Sequence, residues 1–222
     1  AMGGCRGGYH LSQPDTALEI VERVRNEVPD RLPVTVKMRR GIDDSEESRT
    51  NFFRILDGAF ELGAAAITVH GRTVEQKYVG ASSWDFLRDV KEHAGANLII
   101  GSGDVFTAQS CLDMMKYTGV DGVSVARGAI GNPWIFRQAR ELAEGKSSFI
   151  PSVAEQRRVL EMQRSLCAEI YDDRRVLSTM RKFGIKLAPL HPSHEHVRNA
   201  FAAGKTLAAW QAVLNRFYPT DD

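Results

Sequence analysis

Apolar and polar positions follow two alternating patterns along residues 1–149. Four short runs rich in apolar and β-branched residues predict buried strands, at residues 33–39, 65–70, 97–101 and 122–126. The stretches between them carry apolar side chains at helical spacing and close on glycine, as at Gly63 and Gly119. Pro14 marks the start of a further helix, over residues 15–27. Successive strands begin 25 to 32 residues apart, the length of one strand–helix unit of a parallel sheet.

The pattern changes after Phe149. Residues 150–152, Ile-Pro-Ser, indicate a linker. The segments that follow have helical apolar spacing and contain no run typical of a strand; they are residues 153–171, 176–187, 194–203 and 207–217. The sequence therefore predicts two domains, an α/β domain with a parallel sheet over residues 1–149 and an all-α domain over residues 150–222.

Composition and charge narrow the class of protein. The chain has 222 residues, of which 43% are hydrophobic and 26% charged, as in ordinary globular proteins, and its formal net charge is +1. Residues 150–222 hold 11 Lys and Arg against 8 Asp and Glu, which is only a modest basic bias toward a polyanionic partner. Cys5, Cys111 and Cys167 are odd in number and far apart, which predicts neither a disulfide framework nor a CxxC metal site and favours the cytoplasm. No apolar run reaches the roughly 18 residues of a membrane helix.

Polar residues and glycines follow each predicted strand. They are Lys37 and Arg39 after the first, His70-Gly71-Arg72 after the second, Gly101-Ser102-Gly103-Asp104 after the third, and Ala126-Arg127-Gly128 after the fourth. Because the carboxyl ends of parallel strands meet at one edge of a sheet, four such groups predict a ligand site there.

The residue types at these strand ends suit an anionic ligand. A strand-end lysine can neutralise the N1–C2=O edge of a reduced flavin, and glycines let backbone N–H groups approach a phosphate. Alternatives are an ion pair between Lys37 and Asp104, and a hydrogen-bonded structural role for His70.

Ordered motifs over most of residues 6–136 carry a family resemblance. They are Val34-Thr35-Val36-Lys37-Met38-Arg39, then Thr68-Val69-His70-Gly71-Arg72-Thr73 with Gln76, Tyr78, Gly80 and Trp84, then Gly101-Ser102-Gly103-Asp104-Val105, then Ala126-Arg127-Gly128-Ala129-Ile130-Gly131-Asn132-Pro133-Trp134-Ile135-Phe136. Together they resemble the tRNA-dihydrouridine synthase (Dus) family. The segment Met180-Arg181-Lys182-Phe183 more loosely resembles an Arg-Lys-His stretch in that family's helical domain.

The resemblance implies a fold and a reaction. The expected fold is the C-terminal half of a TIM (β/α)8 barrel that binds FMN, followed by a helical tRNA-binding domain. In the implied reaction, NADPH reduces FMN, hydride passes from flavin N5 to C6 of a uridine flipped out of tRNA, and a cysteine acts as general acid toward C5. The chain is thus expected to be part of a flavin-dependent oxidoreductase of the cytoplasm.

The resemblance also assigns roles to residues of this chain. The implied cofactor-binding residues are Lys37, His70, Ser102, Gly103, Asp104, Ala126 and Arg127, and the implied RNA-binding residues are Arg72, Arg181 and Lys182. Two positions depart from the family pattern: Ser102 stands where the family has Asn, and Ala126 where it has Gly. A shorter donor and an added methyl group are expected to weaken phosphate contacts without abolishing them.

No catalytic residue is expected within this chain. Residues 6–14 resemble the family segment that follows the catalytic Cys-Pro motif by about ten residues, and no proline follows Cys5. The resemblance therefore implies that the catalytic cysteine lies upstream of residue 1 and that the 222-residue chain is inactive alone. An open edge of the half-barrel would favour self-association.

Other classes of function stay open from the sequence. One is a flavin-dependent barrel oxidoreductase of the dihydroorotate dehydrogenase type, and another is a non-catalytic RNA-binding fragment. Arg181 and Lys182 also fit a solvated helix face. Residues 191–196 contain three histidines, but a solvated turn is favoured over a metal site because no paired ligands stand elsewhere. No metal is predicted.

Overall fold

The computed structural model describes residues 7–219. The chain divides into two compact units, of which the described parts are residues 7–125 and 126–219. After a 3-10 turn (Gly7–Ser12), the elements of the first unit are α1 (Pro14–Glu27), β1 (Thr35–Arg39), α2 (Glu46–Glu61), β2 (Ala66–His70), α3 (Trp84–Ala94), β3 (Ile99–Ser102), α4 (Ala108–Thr118) and β4 (Gly122–Ser124). The fold of this unit is therefore mixed α/β.

The four strands form one parallel sheet in the order β1-β2-β3-β4, which confirms the four predicted strands. Their register aligns Arg39 with His70, His70 with Ser102, and Ser102 with Ser124. The carboxyl ends of the strands therefore lie in one row, and the residues that follow them face the same edge of the sheet.

Helices α2, α3 and α4 of the first unit begin at side-chain caps and bury one apolar face. Ser45, Ser83 and Thr107 each accept a hydrogen bond from the backbone N–H three residues on, and Ser110 completes a capping box with Thr107. The largest fully buried side chains here are Phe52 and Leu56 of α2, Ile67 of β2, Leu87 of α3, Ile99 of β3 and Met114 of α4. This core holds the helices on the sheet, and the residues at the carboxyl ends of the strands lie outside it.

The described elements of the second unit are all helical. They are α5 (Arg127–Gly131), α6 (Ile135–Ala143), α7 (Val153–Ile170), α8 (Asp173–Leu187), a 3-10 turn (Ala188–Leu190), α9 (His194–Ala203) and α10 (Leu207–Phe217). Their core includes Leu160, Met180, Phe201, Trp210 and Tyr218. No helix among residues 7–219 is long and apolar enough to cross a membrane.

The second unit begins earlier than residue 150, because α5 packs on α8. At Gly131 a Cβ would stand 2.3 Å from the carbonyl oxygen of Lys186, so the two backbones touch. Gln138 then donates to the carbonyl oxygen of Phe149 at 2.8 Å, which fastens α6 to the segment before α7. Residues 126–149, predicted as part of the α/β domain, thus cluster with the helices.

Candidate functional site

The carboxyl edge of the sheet holds a row of polar side chains. Arg39, His70 and Ser102 share one register row. Lys37 stands two residues before Arg39 and therefore lies on the same face of the sheet. Lys37 is exposed and forms no hydrogen bond or ion pair with any of residues 7–219. Its ammonium group is the unpaired cation of this row.

His70 is half-buried and uncharged at neutral pH. Burial and, to a lesser extent, the nearby charges of Arg39, Arg72 and Lys37 together lower the pKa of its imidazole to about 4. Its Nε2 is buried and has no hydrogen-bond partner within the described part of the chain. The ring is therefore a neutral group whose Nε2 can bond to a ligand or a water.

The loop after β3 needs glycine at Gly103. Its φ is +127° and a Cβ there would lie 2.1 Å from Ser82 Oγ and 3.3 Å from His70 Cε1. Trp84 Nε1 donates to the carbonyl oxygen of Gly103 at 3.2 Å. Ser102 is buried, with 4% of its surface exposed. Backbone, imidazole and hydroxyl thus meet in one crowded place between β2 and β3.

Arg72 is buried and bound to protein. Its Nη2 donates to both carboxylate oxygens of Asp104, at 2.8 and 2.6 Å, and its Nε and Nη2 donate to the carbonyl oxygen of Gly80, at 3.2 and 2.7 Å. The Ser82 backbone N–H also donates to Asp104, at 2.8 Å. Asp104 pairs with Arg72, so the alternative of an ion pair with Lys37 is wrong. The tRNA contact of Arg72 stays a prediction.

The structure brings together five of the predicted site residues in the first unit, which are Lys37, His70, Ser102, Gly103 and Asp104. Ala126 and Arg127 open the second unit, at the start of α5, and their cofactor contact stays a prediction. Ser82 and Trp84 shape the site although the motifs assign them no role. Their signal in the sequence is weak, because serine and tryptophan at a helix start ordinarily cap and pack.

The two predicted RNA-binding residues on α8, Arg181 and Lys182, differ in their contacts with the rest of the protein. Arg181 donates from Nη2 to the carbonyl oxygen of Ala202, so the fully solvated alternative is wrong for this residue. Lys182 is exposed. Arg181 is therefore an interhelical link that keeps its positive charge, and the RNA contacts of Arg181 and Lys182 stay predictions.

His191 is a buried structural histidine, so the solvated-turn interpretation is wrong at this position. Its Nε2 lies 2.8 Å from the carbonyl oxygen of Phe217, and its Nδ1 accepts from the Ser193 N–H at 2.9 Å. Both ring nitrogens are satisfied by the protein. Residues 7–219 contain no group of three or more His, Cys, Asp or Glu side chains placed to hold a metal ion.

The strand-end cluster suits a ligand that carries delocalised negative charge. An unpaired ammonium and an uncharged imidazole face it from β1 and β2, and the glycine of the β3 loop allows close approach of a backbone. These residues can bind and orient an anionic heterocycle or a phosphate.

Comparison of the sequence with known proteins shows which family the chain belongs to. The sequence profile of dihydrouridine synthase (Dus) matches residues 2–218. A probable tRNA-dihydrouridine synthase of Mycobacterium leprae (strain TN) is 32% identical over 187 residues, covering 84% of this chain and 48% of the relative. One of Rickettsia conorii is 37% identical over 156 residues, covering 70% and 45%. tRNA-dihydrouridine synthase B of Pasteurella multocida is 34% identical over 155 residues, covering 69% and 45%. The chain spans about half the length of these curated relatives.

Proposed function

The chain belongs to the dihydrouridine synthase (Dus) family, and on that premise we propose that it acts in reducing the C5–C6 double bond of uridines in tRNA, with FMN as cofactor and NADPH as reductant. The three relatives described above carry tRNA-dihydrouridine synthase names. We also propose that the parallel sheet is part of a TIM (β/α)8 barrel and that the helices from α7 onward form a tRNA-binding domain.

The unpaired Lys37 ammonium carries this proposal. A cation that a bound ligand covers loses its contact with water, and an anionic ligand offsets that cost. Lys37 is exposed at a sheet edge, so its desolvation is small until a ligand covers it. In the proposed complex Lys37 meets the flavin where negative charge collects on reduction, and the neutral His70 ring offers a hydrogen bond from Nε2.

The residues present fit FMN in three respects. Lys37 supplies positive charge, His70 an unpaired Nε2, and Gly103 a space that any side chain would fill. When bound, FMN supplies hydride transfer at its N5. The chain's own part is to hold the flavin, to keep its ring edge electrostatically stabilised, and to exclude water from the ring face. We propose Ser102, Gly103 and Asp104, and separately Ala126 and Arg127, as phosphate-side contacts.

Titration of the chain with FMN tests the cofactor proposal. Flavin fluorescence should change on binding to the wild type, and Lys37→Met should weaken binding at least tenfold, about 1.4 kcal/mol. Lys116→Met, on α4, is the matched control because it removes a lysine charge away from the strand ends. Equal affinity of the Lys37 and Lys116 variants would exclude Lys37 from the flavin site.

The substrate is tested in the cell. Deletion of the coding sequence should lower the dihydrouridine content of tRNA, measured by mass spectrometry of its nucleosides, and the intact gene on a plasmid should restore it. Unchanged dihydrouridine together with FMN binding by the purified chain would favour a flavin enzyme that acts on a free small molecule. Binding of tRNA without FMN would favour the non-catalytic alternative.

We further propose that Lys182 meets tRNA phosphate. Each neutralised phosphate adds about 0.9 to the slope of log affinity against log salt. Lys182→Ala should therefore weaken tRNA binding at low salt and flatten that slope by about one unit. Lys205→Ala, which removes a lysine that no prediction assigns to RNA, is the control. Identical slopes for wild type and the Lys182 variant would return Lys182 to a solvated helix face.

A further inference from the structure

The guanidinium of Arg72 bonds to neighbouring protein groups through Nε and Nη2, while its buried Nη1 has no hydrogen-bond partner among residues 7–219. Its side chain is 4% exposed, and its bonds run to Asp104 in the loop after β3 and to Gly80 in the segment before α3. One side chain thus joins three segments: its own loop after β2, residues 80–82, and the loop after β3. These are the segments that surround His70 and Gly103.

Asp104 adopts a backbone conformation that needs support. Its φ is +58°, a left-handed value that costs roughly 1 kcal/mol for a residue with a side chain. Its carboxylate accepts two bonds from Arg72 and one from the Ser82 N–H. These bonds stabilise the left-handed turn and so fix where the Gly103 peptide points.

Ser82 transmits the same constraint to His70. Its Oγ lies 2.6 Å from the Cβ position of Gly71 and 2.1 Å from that of Gly103, so the serine fills the gap between the two strand-end loops. Ser83 N–H donates to the Gly71 carbonyl oxygen at 2.7 Å. Any shift of residues 80–83 therefore moves both the Gly103 loop and the peptide that follows His70.

We propose that Arg72 is a positioning residue, which sets the place of the His70 ring and of the Gly103 backbone toward the cofactor through its fork of bonds to Asp104 and Gly80. The flavin part of this inference rests on the proposed function. The geometric part concerns the flavin-free chain and is tested separately.

Arginine bonds to these groups from two nitrogens of one rigid plane: Nη2 reaches both Asp104 oxygens and the Gly80 carbonyl, and Nε reaches the same carbonyl. A lysine ammonium has one nitrogen on a flexible stem, so it lacks the second point that fixes the direction of the bonds. Arg72→Lys therefore keeps the positive charge near His70 and loses the fork. This variant separates the electrostatic effect of Arg72 from its geometric effect.

The experiment uses the wild-type chain, Arg72→Lys, Arg72→Ala and Asp104→Asn, with Arg23→Lys on exposed α1 as control. In the flavin-free chain, NMR should show displaced amide resonances of Gly103 and Asp104 in all three site variants. The His70 titration midpoint should stay near the wild-type value in Arg72→Lys, which keeps the positive charge. It should rise by about half a pH unit or more in Arg72→Ala, because one of the three cations near the ring is lost. The other charges near the ring, Lys37, Arg39 and Asp104, are unchanged in that variant. FMN affinity should fall about tenfold in Arg72→Lys.

The outcomes separate the two proposals. Gly103 and Asp104 resonances in Arg72→Lys that match the wild type would overturn the positioning role, as would unchanged FMN affinity in that variant. A wild-type chain that binds no FMN would instead contradict the proposed function. The amide shifts and the His70 titration would still decide whether Arg72 positions the strand-end loops. Should Arg72→Ala fail to fold, Arg72→Lys and Asp104→Asn carry the same comparison.

Discussion

Gly103 is the position where a single methyl group should matter most. Its φ of +127° lies outside the range open to side-chain-bearing residues, and a Cβ would stand 2.1 Å from Ser82 Oγ. Gly103→Ala should therefore lower the free energy of unfolding by about 2–4 kcal/mol, from backbone strain and overpacking together. Chemical denaturation of the purified chain measures it.

Gly95→Ala is the matched control in the same unit. Gly95 also has a positive φ, +57°, but nothing lies within 4 Å of its Cβ position. Its substitution should cost only the backbone strain, about 1–3 kcal/mol, without any overpacking. Equal costs at the two positions would mean that the Ser82 hydroxyl moves aside freely and that the strand-end loops are not tightly packed.

His70 makes the stability of the first unit depend on acid. Its pKa is lowered from 6.5 to about 4 in the folded chain, so between these values the unfolded state binds more protons and stability falls as pH falls. At about 1.4 kcal/mol per pKa unit the loss reaches at most about 3 kcal/mol. His70→Gln should remove it: the variant's free energy of unfolding should drop less than the wild type's from pH 7 to pH 4.5.

Other groups titrate over the same range, so a second histidine variant sets the baseline. His93 on α3 is an exposed histidine 2.8 Å from Asp57, and His93→Gln should leave most of the acid-side loss in place. Urea unfolding at several pH values, without flavin, gives the comparison. A wild type and a His70 variant with parallel pH profiles would show that the ring charges as easily in the folded as in the unfolded chain.

Individual site residues could be predicted from the sequence where their role follows from their position along a strand. Lys37, His70 and Ser102 were predicted because parallel strands bring their carboxyl ends to one edge, and the register places them there. The partner of Arg72 could not be predicted, because 32 residues separate it from Asp104 and the pairing depends on how two loops fold against each other. For the same reason the sequence did not reveal the burial of His191.

At the scale of elements, the contact between α8 and α9 depends on a glycine inside a helix. A Cβ at Gly184 would lie 2.6 Å from the Phe201 ring, so alanine must displace a fully buried aromatic side chain. The clash, about 1–3 kcal/mol, should outweigh the gain of about 1 kcal/mol in helix propensity. Gly184→Ala should therefore destabilise the second unit even though alanine has a higher helix propensity than glycine.

Gly58→Ala on α2 provides the contrast. Its Cβ would meet the flexible tip of Leu18 at 2.7 Å, which can rotate away, so that substitution should be neutral or stabilising. Thermal melts of both variants test the pair. A stabilised Gly184 variant would indicate that Phe201 has room to move and that α8 and α9 are not in close contact there.

Arg181 should matter for stability rather than for RNA alone. Its bond to the Ala202 carbonyl lies in the last turn of α9, where a cation also favours the helix dipole. Arg181→Ala should lower stability by about 1–2 kcal/mol, whereas Lys182→Ala should change it by less than about 0.5 kcal/mol. The melting temperatures of the two single variants test this difference. Equal melting temperatures would show that the bond from Arg181 to Ala202 does not stabilise the second unit.

Elements were predicted well where the period was long enough to see. The four strands and helices α1, α7, α9 and α10 lie close to their predicted bounds. The short helix α5 was missed, because five residues complete barely more than one turn and show no period. Within this helix, Gly131 is what lets α5 touch α8.

At the scale of the whole molecule, the place where the second unit begins can be tested with two fragments. Residues 126–222 keep α5 on α8 and the bond from Gln138 to Phe149, whereas residues 150–222 lose both. The longer fragment should therefore melt at least about 5 °C higher, since 1 kcal/mol shifts a domain of this size by about 4–8 °C. Indistinguishable melting curves would favour the boundary predicted at residue 150.

The three tryptophans of the chain give each unit its own optical signal. Trp84 lies in the first unit and holds the Gly103 carbonyl through its indole nitrogen, while Trp134 and the fully buried Trp210 lie in the second. With phenylalanine in place of Trp134 and Trp210, the remaining emission comes from the strand-end loop alone. A change in the mobility of that loop, or a quencher bound beside it, then changes the emission wavelength or intensity of Trp84. Both can be followed in real time without attaching a dye.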